Sequence, residues 1–294
     1  MPVRVPWTSV SFLLYAGGLT ILVSSLFLLG ALSDDYGEAA FVGWSLLVFA
    51  VLATCAFALR RAGRAVAAGL FATSAVVTFV VFVGALEDWF GWLHDLHSAF
   101  GGFRWALLLL ELAALVAALV ALRRFRFPLL VLAAAAVGWF FVTDLVSGGG
   151  DWSATVTIFV GIVFLLTAFA VNPVYAFWLH VAAGLTIGGA LLWFWHTSDW
   201  DWILVTIAGL VYVWFGGTVG RSSWVVLGAF GLFLSTTHWV EKWFGFPNPL
   251  AFFYGVADQT DRPWARALSY AVLGAVFMLL GFLLERRQRE PLPQ

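Results

Sequence analysis

Long apolar segments alternate with short polar ones along the whole chain. Each apolar segment is close to the roughly 20 residues that a helix needs to cross the hydrocarbon core of a bilayer. A hydropathy window of about 19 residues predicts ten such helices. Their spans are 8–32, 39–59, 65–86, 104–122, 128–147, 152–171, 174–196, 200–220, 222–240 and 265–285. Because most connections are short, we predict that consecutive helices are antiparallel neighbours.

The composition agrees with a lipid environment. Hydrophobic residues make up 63% of the 294 residues and charged residues 11%, with a mean hydropathy of +0.97. In soluble proteins about 45–50% of the residues are hydrophobic and about 25% are charged. Lipid cannot hydrogen-bond the backbone, so segments of this length must be helices. We therefore predict an all-α integral membrane protein, with one polytopic transmembrane domain over residues 1–294 and no soluble domain. Its expected partner is the lipid bilayer, and nothing in the charge pattern points to nucleic acid.

The arginines predict the direction in which the chain is threaded. Eleven of the fifteen basic residues lie in alternate connections and at the two ends of the chain. These are Arg4, "RRAGR" (60–64), "RRFRF" (123–127), "GRSS" (220–223) and "ERRQRE" (285–290). Positive charge beside a span is retained in the cytoplasm, so both termini are predicted to be cytoplasmic. The excess of arginine and alanine is typical of a GC-rich bacterium, so we expect the bacterial cytoplasmic (inner) membrane.

The opposite loops are predicted to face outward and hold most of the tryptophans. The longest regular one, "EDWFGWLHDLHSAF" (87–100), places its aromatic residues on one helical face. Glu87, Asp88, His94 and Asp95 share the other face. This pattern predicts a short amphipathic helix lying in the outer membrane interface.

Histidines and carboxylates also collect on this side. The candidates are His94, His97, His196, His238, Glu87, Asp88, Asp95, Asp199, Asp201 and Glu241. Two histidines three residues apart, with carboxylates nearby, would suit a divalent metal, and His196 with His238 would suit a haem. The simpler interpretation, which we favour, is that these residues suit a wet interface. We therefore predict no cofactor and keep metal and haem as the alternatives.

Three ionisable residues fall inside predicted spans, where charge is costly and is by default a functional candidate. Glu111 lies two turns into the fourth span, Asp144 near the outer end of the fifth and His180 in the inner third of the seventh. For Glu111 a functional and a structural role are equally supported. For His180 and Asp144 a structural role is favoured.

Glycines in the later spans predict close helix packing. They include Gly184, Gly188, Gly209, Gly216, Gly217, Gly228 and Gly231. A glycine lets two helices touch backbone to backbone.

Our first functional hypothesis is a secondary transporter for a small lipophilic or amphiphilic molecule, with Glu111 as the carboxylate that couples transport to a proton or cation. The alternative is a non-transporting scaffold, sensor or accessory subunit whose outer face binds a membrane or extracytoplasmic protein. A second alternative is an outer-leaflet enzyme or metal-binding protein that uses the histidine and carboxylate cluster. No nucleotide-binding loop, HExxH or CxxC motif is present, so we expect a protein that is not an enzyme.

Overall fold

The chain is described by a computed structural model. The residues it describes are 16–18, 20–24, 26, 37–92, 105–146, 150–244, 268, 271–272, 274–276 and 278. Within these residues the secondary structure consists of helices and short turns, without a strand.

Eight helices in this part of the chain are long and apolar enough to cross a membrane. They are α1 (Glu38–Arg61), α2 (Ala65–Trp89), α3 (Trp105–Phe125), α4 (Leu129–Val146), α5 (Gly150–Ala170), α6 (Pro173–Phe194), α7 (Asp199–Val219) and α8 (Ser222–Phe244). The protein is therefore a multi-pass membrane protein in contact with the lipid bilayer. These helices correspond to the second to ninth predicted spans. In the first and tenth predicted spans, every described residue is helical.

The start of α6 and the end of α7 have residues that suit helix ends. Asn172 accepts a hydrogen bond from the backbone N–H of Val174 at 3.1 Å, and Pro173 takes the first position of α6. Asparagine is favoured just before a helix and proline at its first position. Gly220 ends α7 in the left-handed conformation, with φ of 67°, which glycine adopts with little backbone strain.

The chain forms two compact units, and the boundary between them falls inside α6, between Thr186 and Ile187. In the first unit, α2 packs against α1, α3 and α4, and α4 also packs against α3 and α5. A hydrogen bond of 2.9 Å from the indole Nε1 of Trp139 to Thr157 Oγ1 joins α4 to α5. A cluster of Val131, Ala135, Ala168, Leu179 and Ala182 continues this packing from α4 through α5 to the first part of α6.

The turn between α3 and α4 is fixed by Phe127. Its side chain is 0% exposed and packs with Leu70, Ala118 and Leu130. A Cβ atom added to Gly69 would lie 2.1 Å from Phe127 Cγ, so α2 has room for this ring only because residue 69 is glycine. Arg126 beside it has φ of 52°, a strained backbone conformation for a residue other than glycine.

In the second unit, α7 and α8 touch through their backbones. A Cβ atom on Gly228 would lie 2.6 Å from the carbonyl oxygen of Gly209, and one on Gly216 would lie 2.8 Å from the backbone nitrogen of Val225. A Cβ atom on Gly188 of α6 would lie in ordinary contact, 3.4 Å from the Tyr212 hydroxyl. The predicted packing role is thus confirmed for Gly209, Gly216 and Gly228.

Candidate functional site

Glu111 of α3 and Asp144 of α4 lie at the same depth in the first unit. Glu111 is fourteen residues before the end of α3, and Asp144 is fifteen residues after the start of α4. At 1.5 Å per residue these positions are about 21 and 22 Å from the connecting turn. Because the two helices pack together, their carboxyl groups are close enough to interact electrostatically.

This carboxyl pair is partly shielded from solvent. Both side chains are half-buried. Oε2 of Glu111 is shielded from solvent and has no hydrogen-bond partner among the described residues. No hydrogen bond among the described residues therefore closes off this oxygen of Glu111, and the carboxyl group of Asp144 lies within electrostatic range of Glu111.

Glu87 occupies a different place from the predicted one. The sequence places it in the outer loop, on the polar face of an interfacial helix. The structure instead includes Glu87 in α2, which continues to Trp89, and the side chain is 4% exposed. Its Oε2 also has no hydrogen-bond partner in the part of the chain that the structure describes. α2, α3 and α4 thus each carry one buried or half-buried carboxyl group towards the same end of the first unit.

His180 is part of the packed interior of the first unit. Its side chain is 1% exposed. The His180 ring packs edge to face with the ring of Phe169 on α5, with centroids 5.3 Å apart and planes inclined by 81°. The structural role that the sequence favours for His180 stays a prediction.

A second polar group lies where α7 begins and α8 ends, in the second unit. The Lys242 ammonium donates a hydrogen bond to Oδ2 of Asp199. Oδ1 of Asp199 is 3.7 Å from Nε2 of His238. The His238 ring in turn stacks on Trp202. We call Asp199, Trp202, His238 and Lys242 the Asp199 cluster.

Asp201 and His196 cap helices. Asp201 Oδ2 accepts hydrogen bonds from the backbone N–H of Ser198 at 2.8 Å and from the Thr197 hydroxyl at 2.9 Å. Ser198 Oγ accepts one from the Asp201 N–H, which completes a capping box at the start of α7. The Nδ1 atom of His196 lies 2.6 Å from the carbonyl oxygen of Trp193 at the end of α6. His196 and His238 therefore have different partners, and none of the contacts of the described residues joins their two rings.

The remaining outer candidates are exposed or not described. Asp88 and Glu241 are exposed. His94, Asp95 and His97 lie outside the described residues, as does most of the predicted interfacial helix. Among the described residues, no group of three His, Cys, Asp or Glu side chains could hold a metal ion. Metal binding that involves His94 and His97 stays a prediction, as does the haem.

Sequence reasoning missed Trp202 and Lys242 as members of the Asp199 cluster. The signal for both was helical spacing. Trp202 is three residues after Asp199 on α7, and Lys242 is four residues after His238 on α8, so each pair shares a helix face. The spacing of His238 and Lys242 was missed because the hydropathy window ends the span at residue 240, whereas α8 continues to Phe244.

No protein-family model, curated protein or solved structure matches the chain.

Proposed function

We propose that the protein is a secondary transporter coupled to a proton or a cation, and that Glu111 and Asp144 hold the coupling ion. The observation that supports this most directly is that two carboxyl groups from adjacent membrane-spanning helices lie at the same depth and within electrostatic range of each other. Two negative charges close together in a medium of low dielectric constant repel each other strongly. A proton shared by the pair, or a bound cation, relieves that repulsion.

The positions of the carboxyl groups suit ion exchange with one side of the membrane. Glu111 lies about 9 Å from the start of α3, and Asp144 about 3 Å from the end of α4. Glu87, buried near the end of α2, provides a third carboxyl group towards the same end. We propose that ions enter from this end, which the arginine pattern predicts to be outside.

The described polar groups inside the helices favour a lipophilic or amphiphilic substrate. Many of the hydroxyl groups donate to carbonyl oxygens of their own helix. Examples are Thr78, Thr143, Thr186 and Ser235. Such hydroxyls have already used their donor, so they offer little to a strongly polar substrate.

The carboxyl pair is tested without knowledge of the substrate by labelling with dicyclohexylcarbodiimide, which reacts with protonated carboxyl groups in apolar surroundings. At neutral pH we expect mass spectrometry to find the label on Glu111 or Asp144. Glu111→Gln and Asp144→Asn should reduce labelling of the pair, whereas Asp88→Asn, which alters an exposed carboxylate, should not. Protection by sodium would identify a sodium-coupled protein. An unlabelled pair in folded protein, with or without sodium, would contradict the proposal.

Transport is tested in proteoliposomes that contain a pH-sensitive dye. We expect tetraphenylphosphonium, ethidium or a fatty acid, added as probes, to change the internal pH through the wild type and the Asp88→Asn control. A sodium-coupled protein would instead move a probe when a sodium gradient is imposed. Glu111→Gln should abolish the response. If no probe responds to either gradient, or if Glu111→Gln responds like the wild type, the protein is not this kind of transporter.

The direction of threading belongs to the same proposal. We propose that both termini lie in the cytoplasm of a bacterial cell and that the connection between α4 and α5 lies outside the inner membrane. Green fluorescent protein fused after residue 294 should fluoresce. Alkaline phosphatase fused at residue 148 should be active, and the same fusion at residue 63 should be inactive. The reverse pattern would invert the topology.

A docking function is the second candidate. Large aromatic side chains are exposed in the second unit, and Trp200 at the start of α7 is 77% exposed. Trp193 and Trp243 are exposed as well. A lipid interface accommodates such rings equally well, so this candidate gains support only if the transport assays fail while cross-linking from Trp200 captures one defined protein.

A further inference from the structure

Two arginines and two phenylalanines alternate where α1 and α3 end. The guanidinium of Arg60 on α1 lies over the Phe125 ring, 5.4 Å from its centroid. The guanidinium of Arg124 on α3 lies over the Phe57 ring at 5.5 Å. The two rings are themselves 5.3 Å apart. Each helix thus places a cation against the aromatic ring of the other.

Arg126 adds a third positive charge to this end of the bundle. It lies in the turn whose position is fixed by the buried ring of Phe127. Arg60 is within electrostatic range of both Arg124 and Arg126. The ion pairs found among the described residues both involve Asp199, so no carboxylate in the described part of the chain neutralises these three arginines.

One donor of this group lacks an acceptor. Nη1 of Arg60 is shielded from solvent and has no hydrogen-bond partner among the described residues. Leaving a buried donor of a charged group unpaired is costly. Arg124 and Arg126 are exposed and Arg60 is half-buried. The three side chains therefore offer an anion two accessible guanidinium groups and a third that is more deeply placed.

We propose that Arg60, Arg124 and Arg126 bind a phosphate group, carried either by an anionic lipid headgroup or by free phosphate. The tetrahedral oxygens of a phosphate can accept hydrogen bonds from several guanidinium groups at once. Its charge offsets the repulsion among the three arginines. Basic sites between membrane helices at the cytoplasmic surface are suited to such headgroups, and this is the end of the bundle that the arginine pattern predicts to be cytoplasmic.

The test measures lipid binding to the detergent-solubilised protein by native mass spectrometry, with phosphatidylglycerol compared with phosphatidylcholine. Arg126→Gln removes one charge without touching the ring contacts. Arg123→Gln is the matched control, because it removes one exposed charge from the same helix end. We expect Arg126→Gln to weaken phosphatidylglycerol binding about fivefold or more, in keeping with the loss of one arginine contact, and Arg123→Gln to weaken it less than about twofold.

A second variant separates the shape of the site from its charge. Arg60→Lys keeps the positive charge and can still pack against Phe125, but it loses the planar set of donors. We expect it to bind phosphatidylglycerol more weakly while its thermal unfolding midpoint stays close to that of the wild type.

The source of the phosphate is decided by adding inorganic phosphate alone. Stabilisation of the wild type but not of Arg126→Gln by inorganic phosphate, without preference for phosphatidylglycerol, identifies free phosphate as the ligand. Preference for phosphatidylglycerol identifies the lipid. Equal losses in Arg126→Gln and Arg123→Gln would show diffuse charge attraction and overturn the proposal. Binding of neither probe by the wild type would also overturn it.

Discussion

The imidazole of His238 lies parallel to the indole of Trp202, with ring centroids 4.4 Å apart and planes inclined by 9°. This stack joins the end of α8 to the start of α7. The indole of Trp239 also meets the imidazole edge to face, at 5.5 Å and 75°. The polar end of this hairpin is therefore held by aromatic contacts as well as by charge.

Replacing Trp202 by leucine should lower the thermal unfolding midpoint, because the ring stack contributes about 0.5–1.5 kcal/mol beyond the area it buries. Trp200→Leu is the matched control, since that ring is 77% exposed. Differential scanning fluorimetry in one detergent compares the two. Equal midpoints for the two variants would show that the stack does not stabilise the hairpin.

Asp199→Asn should lower the midpoint only slightly, because the ion pair with Lys242 is exposed to solvent. Salt screens such pairs. The difference between wild type and variant should therefore shrink when the salt concentration is raised to about 1 M. A difference that persists at high salt would mean that the hydrogen bond to Lys242 or the contact with His238, and not charge, is what the variant loses.

Gly228→Ala should destabilise the α7–α8 hairpin by about 1–3 kcal/mol, because the new methyl group would overlap backbone atoms of Gly209 and Val213. Gly189→Ala on α6 is the control, since no atom outside its own helix lies within 4 Å of the new Cβ. It should be neutral or slightly stabilising, as alanine is the better helix former. The measurement is the thermal unfolding midpoint of each variant in detergent. Similar decreases in the midpoint for both variants would contradict the close backbone contact.

Gly69→Ala should be strongly destabilising in the wild type and much less so when Phe127 is already alanine, because the three atoms nearest the new methyl group all belong to the Phe127 ring. A double-mutant cycle should give a coupling energy on the order of 1–3 kcal/mol. Additive losses would show that the ring does not occupy the space beside Gly69.

Much of the fold could be predicted from hydropathy. The second to ninth predicted spans match α1–α8 to within a few residues at each end, because a run of apolar residues long enough to cross lipid can only be a helix. The residues at which the helices end were harder to predict. A hydropathy window stops where polar residues begin, whereas helical hydrogen bonding continues through Glu87 in α2 and through Lys242 in α8.

The site could be predicted only in part. Glu111 and Asp144 were both singled out as intramembrane acids, but their pairing was not, although equal distances from the turn at 126–128 would have indicated it. The sequence places His196 and His238 at similar depth, which predicts a shared ligand such as haem. Depth alone does not determine the direction of a side chain. His196 contacts Trp193 on α6, whereas His238 stacks on Trp202 on α7.

The short turn that contains Phe127 sets the register between Glu111 on α3 and Asp144 on α4. α3 and α4 are joined by only three residues, 126–128, and the ring of Phe127 in that turn is buried against Leu70, Ala118 and Leu130. One residue inserted there would rotate α4 by about 100° and shift it by about 1.5 Å relative to α3. Asp144 would then turn away from Glu111 with every side chain of the helix unchanged in sequence. Related proteins that keep both Glu111 and Asp144 should therefore vary in loop length elsewhere and hold this one turn at three residues.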